Sequence, residues 1–133
     1  MFSKKANKPP SRIDSLIGAG TSVSGDVTYS GGLRVDGEVR GNVIAVDDKP
    51  GSLVMSERAY IEGEIQASYA VINGKVNGTI RVTGHLELQS KARVTGDVCY
   101  QTLEVHLGAI VQGRLVNLDS EKSDKVVAFK PAP

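Results

Sequence analysis

The sequence has no Trp, only two Phe and four Tyr in 133 residues, and a single Cys at position 99. With so few aromatics, any core must be aliphatic and thin. One thiol rules out an intramolecular disulfide framework and suits a reducing cytosol, and Cys99 reads as a small strand residue just past Val98. The opening MFSKKANKPPSR lacks even a seven-residue apolar stretch, so it reads as neither a signal peptide nor a membrane span. Runs of the Ala–Leu–Glu–Lys kind that make helices are almost missing. So are a nucleophile elbow, a Walker loop and a dinucleotide fingerprint. Charge of one sign is also lacking: residues 13–118 hold nine Lys/Arg against twelve Asp/Glu. That leaves no basic stripe for nucleic acid.

What the chain does have is a repeat. Leu103–Leu115 reads LEVHLGAIVQGRL, and the same thirteen-residue unit stands at Leu86–Val98 and Leu53–Ile65. Positions one, three, nine and thirteen are apolar, the seventh is Ala and the eleventh is Gly. The closing Φ-x-G-x-Φ segment occurs six times, ending at Val27, Val43, Ile65, Ile80, Val98 and Leu115. The spacings are 16, 22, 15, 18 and 17 residues. Apolar residues recur at every second position, which is strand alternation, and the β-branched content agrees. Units of this length are too short for propeller blades or helix pairs and fit the coils of a β-solenoid. The expectation is an all-β, single-domain rod of about six coils and about 30 Å, at ~4.8 Å per coil. The repeated Gly and Ala are expected to point inward, where the interior is narrow and one corner can hold little side chain.

Around the rod the chain divides into a flexible basic tail (1–14), the solenoid (15–118) and a flexible C-terminal tail (119–133). The first coil lies within Leu16–Val27 and the second within Tyr29–Val43, with Gly31–Gly32 as a turn. Val46–Ser52, rich in turn formers, interrupts the repeat as a protruding loop and explains the long spacing. The N-terminal tail allows two readings: a plain disordered segment, or a peripheral anchor in which Met1 and Phe2 insert while Lys4, Lys5 and Lys8 meet anionic headgroups. Two buried apolar side chains supply about 1.5–3 kcal/mol each, and each Lys about 1 kcal/mol near an anionic leaflet. One copy would bind weakly, so such a tag works through many copies displayed together.

Candidate chemistry is sparse. His85 and His106 lie in different coils and are expected to face outward as solvent-exposed strand residues; two His without nearby Cys do not make a zinc site. Asp36/Glu38 and Glu62/Glu64 flank Gly37 and Gly63 and read as solvated strand charges rather than a cation site. No catalytic, cofactor-binding or metal residue is assigned. The rival reading is a left-handed β-helix acyltransferase of the hexapeptide-repeat type, suggested by Ile17–Val23 (IGAGTSV). It weakens beyond residue 25, where the six-residue register is lost, and no long loop or helical tail shapes an acyl-donor cleft.

The Φ-x-G-x-Φ ladder, the thirteen-residue units and the opening MFSKKANK together resemble the bactofilins, bacterial cytoskeletal proteins. The resemblance covers Ser15–Leu118 and, separately, the first eight residues. It implies a right-handed parallel β-helix with flexible tails, assembling without nucleotide or other cofactor into non-polar filaments. It further implies a cytoplasmic scaffold on the inner membrane that positions cell-wall or morphogenesis proteins. Met1, Phe2, Ser3, Lys4 and Lys5 match the membrane-targeting tag that some members carry, with Lys8 as a further cation.

Self-association also follows from the repeat alone. A solenoid ends in coils whose backbone groups and apolar interior are open to pairing, and monomeric solenoids cover them with caps. Neither flank here offers an amphipathic helix. Another copy satisfies both ends most simply. The expected polymer interface is Leu16, Val23 and Val27 at one end and Leu103, Val105, Val111 and Leu115 at the other.

Overall fold

A computed structural model describes residues 12–46 and 49–119 of the chain. Every strand pairing is parallel, and each coil contributes three strand segments, so the rod is three-sided. The first face stacks β1 (Ser15–Ile17), β4 (Gly31–Val35), β7 (Gly51–Met55) and the second halves of β9 (Ile65–Ile72), β11 (Ile80–Leu88) and β13 (Val98–Val105). The second stacks β2 (Ser22–Ser24), β5 (Glu38–Arg40), β8 (Tyr60–Glu62), β10 (Lys75–Asn77), β12 (Arg93–Thr95) and β14 (Ile110–Gln112). The third stacks β3 (Val27–Tyr29), β6 (Val43–Ala45), the first halves of β9, β11 and β13, and β15 (Leu115–Asn117). Six segments on each face make six coils.

The register is the one the repeat dictates. Val27, Val43, Ile65, Ile80, Val98 and Leu115 form one continuous row of Cα partners. Val23, Val39, Ile61, Val76, Val94 and Val111 form another. Parallel pairing places like residues on top of one another, so one alternation pattern per coil suffices to build a continuous core. Ile61, Ile65, Ile72, Val76, Ile80, Val82, Leu86 and Leu88 are fully buried. Ala59 and Ala92, the seventh-position alanines, are also inside, as expected for a narrow interior.

The glycines of the repeat sit at a corner, as expected, between the second and third faces. What excludes a side chain there is backbone of the neighbouring coil rather than a narrow interior. A Cβ on Gly41, Gly63, Gly78, Gly96 or Gly113 would overlap the carbonyl oxygen of the corner glycine one coil back, Gly25, Gly41, Gly63, Gly78 and Gly96 respectively. Gly78 and Gly96 also hold φ of +153° and +142°, a region L side chains rarely adopt. The corner is a column of backbone stacked on backbone.

Two local expectations are corrected. Gly31 and Gly32 are not a turn but the first residues of β4, in register with Gly51 and Ser52 of β7. The interruption therefore closes at Pro50 rather than Ser52, because Gly51 and Ser52 are drawn into the sheet by that pairing. A side chain at Gly51 would strike Ala45 and the Tyr29 ring, so only Gly fits beneath Tyr29. Tyr29 is buried, its hydroxyl donates to the Gln66 carbonyl at 3.2 Å, and burial raises its pKa well above the usual phenol value.

Candidate polymer interface

Among the described residues, no segment pairs with the outer edge of either terminal coil. β1, β2 and β3 at one end, and β14 and β15 at the other, pair on one side only. The cost of a missing neighbour is plain when equivalent positions are compared. Val98 is 0% exposed and Leu115, its partner in the next coil, is 50%. Leu88 is 0% exposed and Val105, stacked on it, is 50%. Nothing in the side chain differs in kind; what differs is that no further coil follows among the described residues.

Of the residues expected at the ends, Val23, Val27, Leu103, Val105, Val111 and Leu115 all belong to inward rows of terminal coils. Leu16 does not. It is the register partner of Arg34, on the outward row, and is 59% exposed on the side of the rod. The inward residue there is Ile17, which stacks on Val35 and packs against the core. Adjacent apolar residues made the alternation ambiguous in this coil. The structure resolves it through Asp14, whose N–H donates to the Gly32 carbonyl and whose carboxylate accepts the Gly32 N–H at 2.9 Å. That backbone bond, with Arg12 beside it, holds the Asp14 carboxyl below its ordinary pKa.

The C-terminal coil exposes several large apolar side chains. Besides Val105 and Leu115, Leu107 and Ile110 are exposed there, 96% and 47% respectively, and the repeat pattern did not single out either. Ile110 occupies an outward position, in register with Arg93, so it departs from the polar residues that fill that row in inner coils. Arg114 fastens this last coil. It binds Asp97 of the coil before through its guanidinium at 3.0 Å and its backbone N–H at 3.1 Å. The side-chain bond lowers the Asp97 pKa and raises that of Arg114.

The other candidate residues are placed as follows. Asp36 pairs with Arg34 at 3.0 Å, and Glu38 and Glu62 both face Arg40 at 3.2 and 3.7 Å. Glu64 accepts from Gln66. Cys99 lies on β13 as a free thiol. His85 and His106, expected as separate exposed residues, are each partly buried and both lie against Glu104. Met1, Phe2, Ser3, Lys4, Lys5 and Lys8 lie outside the described residues, as does nearly all of the C-terminal tail.

Comparison with known proteins identifies the family to which this six-coil parallel solenoid belongs. Residues 15–116 match the family model for bactofilins, described as polymer-forming cytoskeletal proteins. The chain belongs to the bactofilin family. The match spans all but the last residues of the rod, so the family rests on the solenoid rather than on the tails. Among relatives, this bactofilin is 24% identical over 112 residues to bactofilin BacO of Myxococcus xanthus, covering 84% of this chain and 83% of BacO. It is 25% identical over 133 residues to bactofilin BacP of the same organism, covering 99% of this chain but only about half (53%) of BacP. The solid-state NMR structure of the cytoskeletal bactofilin BacA is similar with a TM-score of 0.67 and 31% identity, over 77% of this chain and 94% of BacA. The family is structural, a cytoskeletal one, and self-association is its shared property.

Proposed function

We propose that this bactofilin is a scaffold that assembles end to end, without nucleotide or other cofactor, into non-polar filaments on the cytoplasmic face of the inner membrane. There it positions cell-shape or cell-wall proteins. The observation that carries the assembly step is the pair of terminal coils left unpaired on one side among the described residues, whose inward residues are partly exposed, Val105 and Leu115 to 50%, while their inner-coil partners are fully buried. A second rod seated on an end supplies both missing neighbours at once: strand partners for the backbone edge and apolar partners for the rows. A non-polar filament requires like ends to meet, each through a two-fold, self-complementary contact. The apolar C-terminal end, with Val105, Leu107 and Leu115, suits such a contact. Filaments should sediment and appear by negative stain after dialysis against EDTA with apyrase. Assembly restored only by adding nucleotide or metal would overturn the proposal.

Membrane attachment rests on the tag residues. Deleting residues 2–8 is expected to abolish co-sedimentation with anionic liposomes while filaments persist. Phe2→Glu should act almost as strongly, because it removes an inserting side chain and adds repulsion from the headgroups. Equal liposome binding by wild type and both variants would remove the anchor from this reading.

A further inference from the structure

The coil register creates a cluster that no linear motif announces. Glu87 and Glu104 are direct partners on β11 and β13, both on the outward row. Like charges directly opposite one another on a sheet are destabilising, so a hydrogen-bond donor or a cation between the two carboxylates stabilises the pair. The Nε2 of His106 sits between them, 2.9 Å from Glu87 and 3.2 Å from Glu104. One ligand atom from each of the three lies within 4.8 Å of the others. Gln89 also donates to the same Glu87 oxygen, at 3.1 Å. His85 approaches the other oxygen of Glu104 at 3.6 Å, its ring positioned by a 2.7 Å contact between Nδ1 and the Thr102 hydroxyl. Both histidines of the chain thus converge on one carboxylate.

The geometry points to a divalent metal site of the zinc type on the side of the last two coils, with His106, Glu87 and Glu104 as ligands. In a tetrahedral zinc site with ligand bonds near 2.0–2.2 Å, ligand atoms stand about 3.3 Å apart, close to both His106 distances. Two carboxylate oxygens and one imidazole nitrogen leave a fourth position for water or for His85. An imidazole ligand favours zinc or a similar transition ion over magnesium or calcium, which prefer all-oxygen sets. The ion would replace the repulsion between Glu87 and Glu104 by a shared bond, clipping coil six to coil five. The ligands sit on the outward row, away from the inward rows at the rod end, so binding acts on the stability of the terminal coil and assembly itself stays metal-independent.

The test uses the full, tag-free chain carrying Cys99→Ser, which removes the one thiol that could compete for metal. Zinc titration by calorimetry should show one site per chain in the micromolar range, with a rise in thermal midpoint. Cobalt should give visible absorption bands of a low-symmetry site. His106→Ala and Glu87→Gln, checked for fold by circular dichroism, should each lose about tenfold or more in affinity and lose the zinc-dependent rise in midpoint. Absence of zinc binding, or undiminished binding in both variants, would overturn the site. Neither result would bear on filament formation in EDTA, so the two proposals fail separately.

Discussion

Gly78→Ala is expected to unfold the rod or lower its thermal midpoint steeply. The added Cβ would overlap the Gly63 carbonyl oxygen, and the residue would also have to hold φ +153°. Backbone strain of that kind costs about 1–3 kcal/mol, and overpacking against a fixed backbone about 1–3 more. Together these are a large part of the ~5–15 kcal/mol that stabilises a typical domain. The obstacle cannot move cheaply, because Gly63 is itself stacked on Gly41 and its N–H is bonded to the Asn77 carbonyl. Gly18→Ala is the control: a Cβ there meets nothing within 4 Å, and φ is not positive. It should fall within about 0.5 kcal/mol of wild type. Urea unfolding followed by circular dichroism compares the three proteins. A wild-type midpoint for Gly78→Ala would show that the corner column is not rigid.

Leu115→Lys should leave a folded rod that forms no long filaments. Leu115 is already 50% exposed, and its inward row ends in solvent, so an ammonium on a flexible stem can reach water past the coil end. In a filament the same charge would be enclosed against the partner's end, with desolvation costing several kcal/mol. Short paired rods should remain if the opposite end still associates. Val94→Lys makes the contrast. Val94 is 1% exposed between Val76 and Val111, and a charge there is buried without a partner, which should unfold the protein. Circular dichroism with negative-stain microscopy reads both outcomes. Normal filaments from Leu115→Lys would show that this end is not the interface.

A great deal of the fold was legible because a solenoid translates one-dimensional period directly into three-dimensional contact. The six Φ-x-G-x-Φ endings became the Val27–Leu115 row residue for residue, since parallel stacking puts each apolar position on its own repeat. The inward rows at the ends were legible for the same reason at Val23, Val27, Leu103, Val105, Val111 and Leu115. Where the pattern was ambiguous, contacts outside it decided. Ser15–Leu16–Ile17 offers two apolar residues in succession, and the bonds between Asp14 and Gly32 set which one points in. Gly51 and Ser52 looked like turn residues until their pairing with Gly31 and Gly32 was seen. The corner glycines were recognisable as required, but the carbonyl that requires them belongs to a different coil.

What the sequence by itself determined is the repeat: the strand alternation, the number of coils, the register between them and the positions left without a neighbour. These follow from local period, which each coil states anew. Only the tertiary structure decided which backbone atom a corner glycine meets, which of two adjacent leucine and isoleucine side chains enters the core, and that His85 and His106 share Glu104. Each of those depends on residues 15–22 apart in the chain but only one coil, about 4.8 Å, apart in space. An alternation pattern records which side a residue faces and carries no information about what stands beside it on the next coil.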